Sequence, residues 1–237
     1  MASPLRRRPV PAVLTAVLAA TALAGAWARR DYRAWRALGP GGLPSTPRGW
    51  LTTTRLRLRK AAPLDVTGYG EHKPTTPLLS GLPRRHGPRP RIGPWPIPHR
   101  PVDQRISTAM HTALDAAFAD LVSAHPAFLT TRRSVLEGHC DAMALRDHAT
   151  APVDLRTTQG EIAHVHPGDG SLHMILAASD ARAVIEGAWG ERHPLAGVVP
   201  QLPSTYLLVY PPRDEEELKI VTGILEAAVR NAAPVER

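Results

Sequence analysis

Residues 161–211 read EIAHVHPGDGSLHMILAASDARAVIEGAWGERHPLAGVVPQLPSTYLLVYP, and their reading decides the fold. Two short β-type runs flank Pro167-Gly168-Asp169-Gly170, a cluster whose residue types reverse a chain. A two-residue loop at 168–169 and a four-residue loop at 167–170 give the same register. His166 then faces Ser171, His164 faces His173, and Ile162 faces Ile175. Because side chains alternate along a strand, His164 and His166 share a face. His173 sits across from His164, with Cβ atoms roughly 4.5–5.5 Å apart. The face turns apolar away from the turn, which predicts a pocket with an apolar floor and an imidazole rim. A one-residue slip would scatter the three histidines.

Three readings of that cluster are open. The rings can be half-exposed polar groups at a hairpin tip. They can ligate zinc or iron, since H-x-H with a third His is acceptable ligand geometry, although no acidic fourth ligand stands at a diagnostic spacing. Or they can move protons, because imidazole titrates near working pH.

Length and composition bound the rest. A chain of 237 residues suits one domain with appendages and can bury a sizeable core. A single cysteine, Cys140, excludes an intrachain disulfide. The net charge of +8 hides an asymmetry: residues 1–100 hold 18 Lys/Arg against 3 Asp/Glu, and residues 101–237 hold 11 against 18. The basic half is thus not the predicted folded domain, which argues against nucleic acid as a partner and for an anionic membrane surface.

From the N-terminus, Arg6-Arg7-Arg8 precede an uncharged run from Pro9 to Ala28, and Arg29-Arg30 follow it. That length is near the ~20 residues of a membrane span, with a cleavable signal peptide as the competing reading. Tyr32, Trp35 and Leu38 continue it as an interfacial helix, so residues 1–38 are assigned to a single-pass anchor and the protein to a membrane. Residues 39–101 form a connector: 13 of the 25 prolines lie between Pro40 and Pro101, which bars long helices and central strands. Trp50 to Thr54 is one short strand or helix within it.

Residues 102–237 are the expected α+β domain. Ile106 to Ser123 has helical spacing, with Ile106, Met110, Leu114, Phe118 and Leu121 on one face. Phe128–Thr131 and Ser134–Leu145 alternate as strands, the second holding His139. Ser179-Asp180 is expected to cap a helix over 181–188. Glu191-Arg192-His193 read as a tight loop in which Arg192 clamps an anionic oxygen and Glu191 orients a histidine. Tyr206–Tyr210 is a strand, and Asp214–Glu217 open a last helix with acids at its positive end.

Taken together, Glu161-Ile-Ala-His-Val-His166, Ser171-Leu-His173, Trp189-Gly-Glu-Arg-His-Pro-Leu-Ala-Gly197 and Tyr210-Pro-Pro-Arg-Asp-Glu-Glu-Glu217 resemble the core signature of the fungal luciferase-type domain. The good match covers about residues 160–225, with weaker similarity at 29–52 and 103–145, where His139 matches a histidine of that family. The resemblance implies a membrane-anchored enzyme that adds molecular oxygen to 3-hydroxyhispidin, without metal, flavin or nicotinamide. A cyclic peroxide then loses carbon dioxide and leaves a light-emitting product. The light-emitting members have a slightly longer hairpin loop with an additional histidine and a cysteine. Here that place is Pro167–Gly170, so a related oxygenase of other substrate is the companion reading.

The sequence therefore predicts a mainly antiparallel sheet packed with helices. The expected catalytic residues are His164, His166, His173 and His193, with His164 or His166 as base. Arg192, Glu191, His139, Trp189 and Tyr210 are the expected substrate-binding residues, and no cofactor is expected beyond oxygen. Metal-dependent chemistry at His164, His166 and His173, or a ligand-binding protein without catalysis, are the alternatives.

Overall fold

The computed structural model describes residues 10–69 and 78–234, with side chains from residue 13 onward. The chain divides into two units, Met1–Ala37 and Leu38–Arg237. The described part of the first holds one helix, α1 (Val10–Arg36). Among the described residues no helix is long and apolar enough to cross a membrane. The expected span is therefore not supported by the described residues, where Arg29, Arg30, Asp31, Arg33 and Arg36 crowd the last turns of α1. Arg6–Arg8 and Pro9 lie outside the described residues.

The second unit is α+β. Its strands are β1 (Leu129–Arg133), β2 (Asp141–Leu145), β3 (Glu161–Val165), β4 (Leu172–Ile175), β5 (Gly190–Arg192) and β6 (Tyr206–Val209). They form one sheet in the order β1-β2-β3-β4-β6-β5, every pairing antiparallel. The helices are α2 (Pro47–Leu56), α3 (Thr108–Ala124), α4 (Val153–Thr157), α5 (Ala178–Glu186) and α6 (Glu215–Ala232). Ser107 caps α3, its hydroxyl accepting from Met110 N–H at 3.1 Å, and Asp214 caps α6, accepting from Glu217 N–H at 2.8 Å.

Alternation gives the sheet two different faces. One carries Ala163, Val165, Leu172, Met174, Leu207 and Val209, all buried, and packs on Val221, Ile224, Leu225 and Ala228 of α6. Each fully buried side chain of this size stabilises the unit by about 1.5–3 kcal/mol. The other face carries His164, His173, Tyr206 and Glu191, also buried. The proline-rich segment covers it. Proline lacks an N–H, so such a segment lies across a sheet with few donors to satisfy. It is pinned where it needs to be: Arg192 N–H donates to Pro63 O and Ala61 N–H to Pro194 O, both at 2.8 Å. Residues 39–101 thus belong to the same compact unit as the sheet.

Three local expectations are corrected. Residues 134–140 are a loop rather than strand, because Glu161 draws in Ser134 and Val135 by side-chain bonds. Ser179-Asp180 does not cap α5; Ala177 occupies that position, and Asp180 accepts from Leu79 N–H at 2.9 Å instead. Residues 190–192 are a strand, not a tight loop.

Candidate active site

The β3–β4 hairpin has the expected register. His164 pairs with His173, Ala163 with Met174, and His166 N–H donates to Ser171 O at 2.8 Å. Asp169 fixes the turn by accepting from Ser171 N–H at 2.8 Å. Gly170 adopts φ +77°, a left-handed conformation that glycine reaches without strain. The rings do not form a rim, however. His164, His166 and His173 are at most 1% exposed, closed in by His99, Arg100 and the 134–140 loop. The half-exposed reading is thereby excluded.

Each of the three imidazoles is oriented by a hydrogen-bonded chain ending in a carboxylate. His164 Nδ1 lies 2.7 Å from Glu161 Oε1. A carboxylate accepts only, so Nδ1 carries the proton and Nε2 the lone pair. The Ser171 hydroxyl gives its proton to Asp169, so it accepts from His166 Nδ1 at 2.8 Å, and His166 Nε2 keeps a lone pair. Glu191 accepts from His99 Nε2 at 2.9 Å, leaving His99 Nδ1 to accept from His173 Nε2 at 3.4 Å. His173 Nδ1 is then the free lone pair. The Tyr210 hydroxyl completes that chain, donating to Glu191 Oε2 at 2.9 Å.

The three lone-pair nitrogens are buried without a hydrogen-bond partner in the protein, and they converge. Glu137 Oε1 lies 4.0 Å from His164 Nε2, 3.9 Å from His166 Nε2 and 3.9 Å from His173 Nδ1. These four atoms lie within 4.8 Å of one another and could hold a metal; His99, His173 and His193 form a second such group. Arg100 braces Glu137 through Oε2 at 3.1 Å and approaches Asp169 at 3.9 Å.

Burial holds the pKa of His166 and His173 well below the ordinary imidazole value; neighbouring imidazoles add to it at both, and Arg100 adds to it at His166. Burial alone would raise Glu161, but its bonds to His164, Ser134 and Val135 outweigh that and lower it. Tyr206 is pushed well up, by burial first and then by Glu161 and Glu137.

The other expected residues divide by strand parity. Glu191 and His193 face the histidines, and Glu191 orients His99. His193 Nδ1 accepts from Leu195 N–H at 3.1 Å, and the ring also meets the Pro96 backbone. Arg192 points the opposite way, donating to Ala62 O at 3.0 Å, and Trp189 is a core residue donating to Pro83 O at 2.6 Å. The structure brings neither to the cluster. Tyr210 stands one step back, on Glu191. His139, in the loop, bonds Glu137 O at 2.9 Å and lines a groove of about 420 Å³ with His111, Phe118, Arg133, Cys140 and Val165.

Sequence reading missed Glu137, Glu161, His99 and Arg100. Glu161 had a signal, an acid three residues before His164 at the head of a strand. Glu137 stood two residues from His139. His99-Arg100 carried none that separates them from their proline-rich surroundings.

The Luciferase domain profile matches residues 159–228. A protein of Armillaria ostoyae named Luciferase is 33% identical over 238 residues, covering 95% of this chain and 89% of its own. Luciferase of Neonothopanus nambi is 34% identical over 233 residues, covering 92% and 86%. Luciferase of Armillaria mellea is 32% identical over 239 residues, covering 95% and 89%. No solved structure matches the chain.

Proposed function

This chain belongs to the family of the fungal luciferases, and from that premise we propose that it is an oxygenase adding O2 to an enolisable hydroxypyrone or related phenolic, of which 3-hydroxyhispidin is the model substrate. The observation that carries the reading is the buried set of three imidazole lone pairs and one carboxylate oxygen facing one point. An electron-rich enol brought there meets proton acceptors and no competing donor, so it is held as the enolate. The enolate's own electron pair then reduces O2. One oxygen bonds to each of two ring carbons, carbon dioxide leaves from the lactone, and a carbonyl product remains. The substrate supplies both electrons, so neither flavin nor nicotinamide is required.

The walls support this chemistry. Ile162, Ile175, Tyr206 and Leu208 share the face with the histidines and are buried, which keeps water from the enolate and peroxide. Arg100 is the cation beside Glu137 and Asp169, positioned to balance developing negative charge. The groove lined by His139 is large enough for a bicyclic aromatic substrate and adjoins Glu137 through His139.

The test is oxygen uptake by the purified full chain with 3-hydroxyhispidin, with emission recorded in parallel. Uptake that disappears in His173→Ala while the melt stays within a few degrees supports the assignment. Uptake unchanged in His164→Ala and His173→Ala refutes it.

Helix α1 carries exposed Val13, Leu14, Val17, Leu18, Leu23 and Trp27, followed by Arg29 and Arg30. We propose that this helix tethers the enzyme to a membrane surface. Flotation of the full chain, but not of residues 38–237, with vesicles containing anionic lipid is the expected result.

A further inference from the structure

The convergence of Glu137, His164, His166 and His173 carries more than a proton. We propose that these four residues form a binding site for one divalent first-row transition metal ion, coordinated by Glu137 Oε1, His164 Nε2, His166 Nε2 and His173 Nδ1. The resemblance that leads to the oxygenase reading implies chemistry without a metal; the donor set points the other way.

The first argument is the direction of the lone pairs. Neutral imidazole has one donor and one acceptor nitrogen, and a random buried cluster would pair them. Here every ring turns its N–H outward, to Glu161, to Ser171 with Asp169 behind it, and to His99 with Glu191 behind it. All three acceptor nitrogens consequently point inward at a carboxylate oxygen, and none finds a hydrogen-bond partner. Four electron pairs facing one another repel unless a cation lies between them. An outer carboxylate fixing the tautomer and raising the basicity of each ligating imidazole is the arrangement metal centres use.

Distance and charge agree with this. The 3.9–4.0 Å separations between Glu137 Oε1 and the three nitrogens compare with roughly 3.3–3.6 Å for the edges of a tetrahedron whose metal–ligand bonds are about 2.0–2.2 Å. Small side-chain rotations bring the donors onto the ion. Around the cluster stand the carboxyl groups of Glu137, Glu161, Asp169 and Glu191, all less than 10% exposed; Arg100 pairs with Glu137 and Asp169, and Arg105 and Lys60 act on Asp169 and Glu191 from farther off, which leaves four acids against three cations. A divalent cation offsets that excess. Cys140 is not among the donors, which leaves three imidazoles and one hard oxygen, a set suited to iron, manganese, copper, nickel or zinc rather than to a thiolate site.

Four protein ligands leave coordination positions open. A 3-hydroxypyrone presents a hydroxyl and a carbonyl on adjacent carbons, a bidentate oxygen chelate. Binding there acidifies the enol, so the ion takes over the part an imidazole base would otherwise play. This role rests on the proposed function; the binding of the ion does not. The use of O2 favours iron(II).

The experiment uses the full chain purified without chelator from iron-supplemented cells, with metal content measured per chain. Expected is one transition-metal ion, removed by chelation with a fall in melting temperature, and restored by added Fe2+ or Co2+, the latter with visible absorption bands. Glu137→Gln and His164→Ala lose the ion. Asp169→Asn, which touches no ligand nitrogen, binds it about 10–100-fold more weakly. His125→Ala, away from the cluster, retains it. If any variant unfolds, the chelation and Co2+ titration of the unaltered chain still decide. No stoichiometric metal and no Co2+ bands, with oxygen uptake on 3-hydroxyhispidin intact, overturns the metal site and leaves the oxygenase. A bound ion with no uptake refutes the proposed substrate and keeps the site. An ion retained in both Glu137→Gln and His164→Ala lies elsewhere and also overturns the inference.

Discussion

Glu161→Gln tests how the centre is held together, because one carboxylate serves two elements. Glu161 accepts from His164 Nδ1 at 2.7 Å, from the Ser134 hydroxyl at 2.8 Å and from Val135 N–H at 2.7 Å. The last two anchor the loop that carries Glu137. Glutamine offers one oxygen and an NH2 in place of the second oxygen, so at least one of the three donors faces another donor. A buried donor left unpaired costs about 1–3 kcal/mol, and loss of the charge from the remaining bonds adds a similar amount. The sum is about 2–6 kcal/mol. For a unit of this size each kcal/mol lowers the melting temperature by about 2–4 °C, so a fall of about 4–24 °C is expected. Turnover suffers beyond stability. With the NH2 toward His164, Nδ1 must accept, the ring proton moves to Nε2, and the lone pair no longer faces Glu137. Oxygen uptake, measured well below the variant's melt, should drop about 10–100-fold. A variant melting with the unaltered chain and turning over at its rate would refute the claim that Glu161 sets both the tautomer and the loop.

Three further outcomes follow from the packing and charges. Gly170→Ala places a Cβ 2.2 Å from Ile106 Cδ1 and 2.6 Å from Cγ1 at φ +77°, whereas Gly138→Ala has the same φ and nothing within 4 Å. Backbone strain of about 1–2 kcal/mol is common to both, and the clash should add about 1–3 kcal/mol at Gly170 alone, measured by urea unfolding. Glu217, buried on Arg85 and Arg213, is raised by burial but carried by those bonds down to about 2 from an ordinary 4.5. Its stabilisation is complete above 4.5 and is lost as pH falls through about 2; discounted for the half-exposed Arg213, it is about 2 kcal/mol. Glu217→Gln should lack that acid-dependent step in unfolding midpoints. Cys140 is buried, and burial with Glu137 and Glu161 pushes its thiol up to about 12, so iodoacetamide should label it only in denaturant.

The legible parts were those with short periods. The alternation of 161–166 and 171–175 around Pro167–Gly170 specified the hairpin and the His164–His173 pair. The helical spacing of 106–121 specified α3, and the acids of 214–217 marked the start of α6. Glu137 was hidden because it enters through a loop, and loop geometry follows from the Glu161 bonds, which are tertiary. His99 was hidden because nothing local marks which proline-rich residue lies over which strand. Arg192 was misplaced by parity. Read as a loop, 191–193 gather on one site; as strand β5, residues 191 and 193 turn one way and 192 the other. The N-terminal span finds no support among the described residues, since the helix that carries the apolar run continues into Arg29, Arg30, Arg33 and Arg36.

The two sheet faces are equally buried but differ in kind. On the α6 side, Met174, Leu207 and Val209 fill the interior with apolar atoms. On the other side the same strands place His173 and Glu191 in the same degree of burial, beside Leu208. Burying polar groups this way costs several kcal/mol even when most are hydrogen-bonded, and well-packed apolar residues of similar volume would be as stable or more so. A covering segment that served only to close the core would need no His99 or Arg100. Instead it supplies the groups that orient His173 and brace Glu137. The hairpin alone therefore makes a row of imidazoles, and only the proline-rich segment together with the 134–140 loop turns that row into a site with inward lone pairs, a carboxylate and a balancing cation.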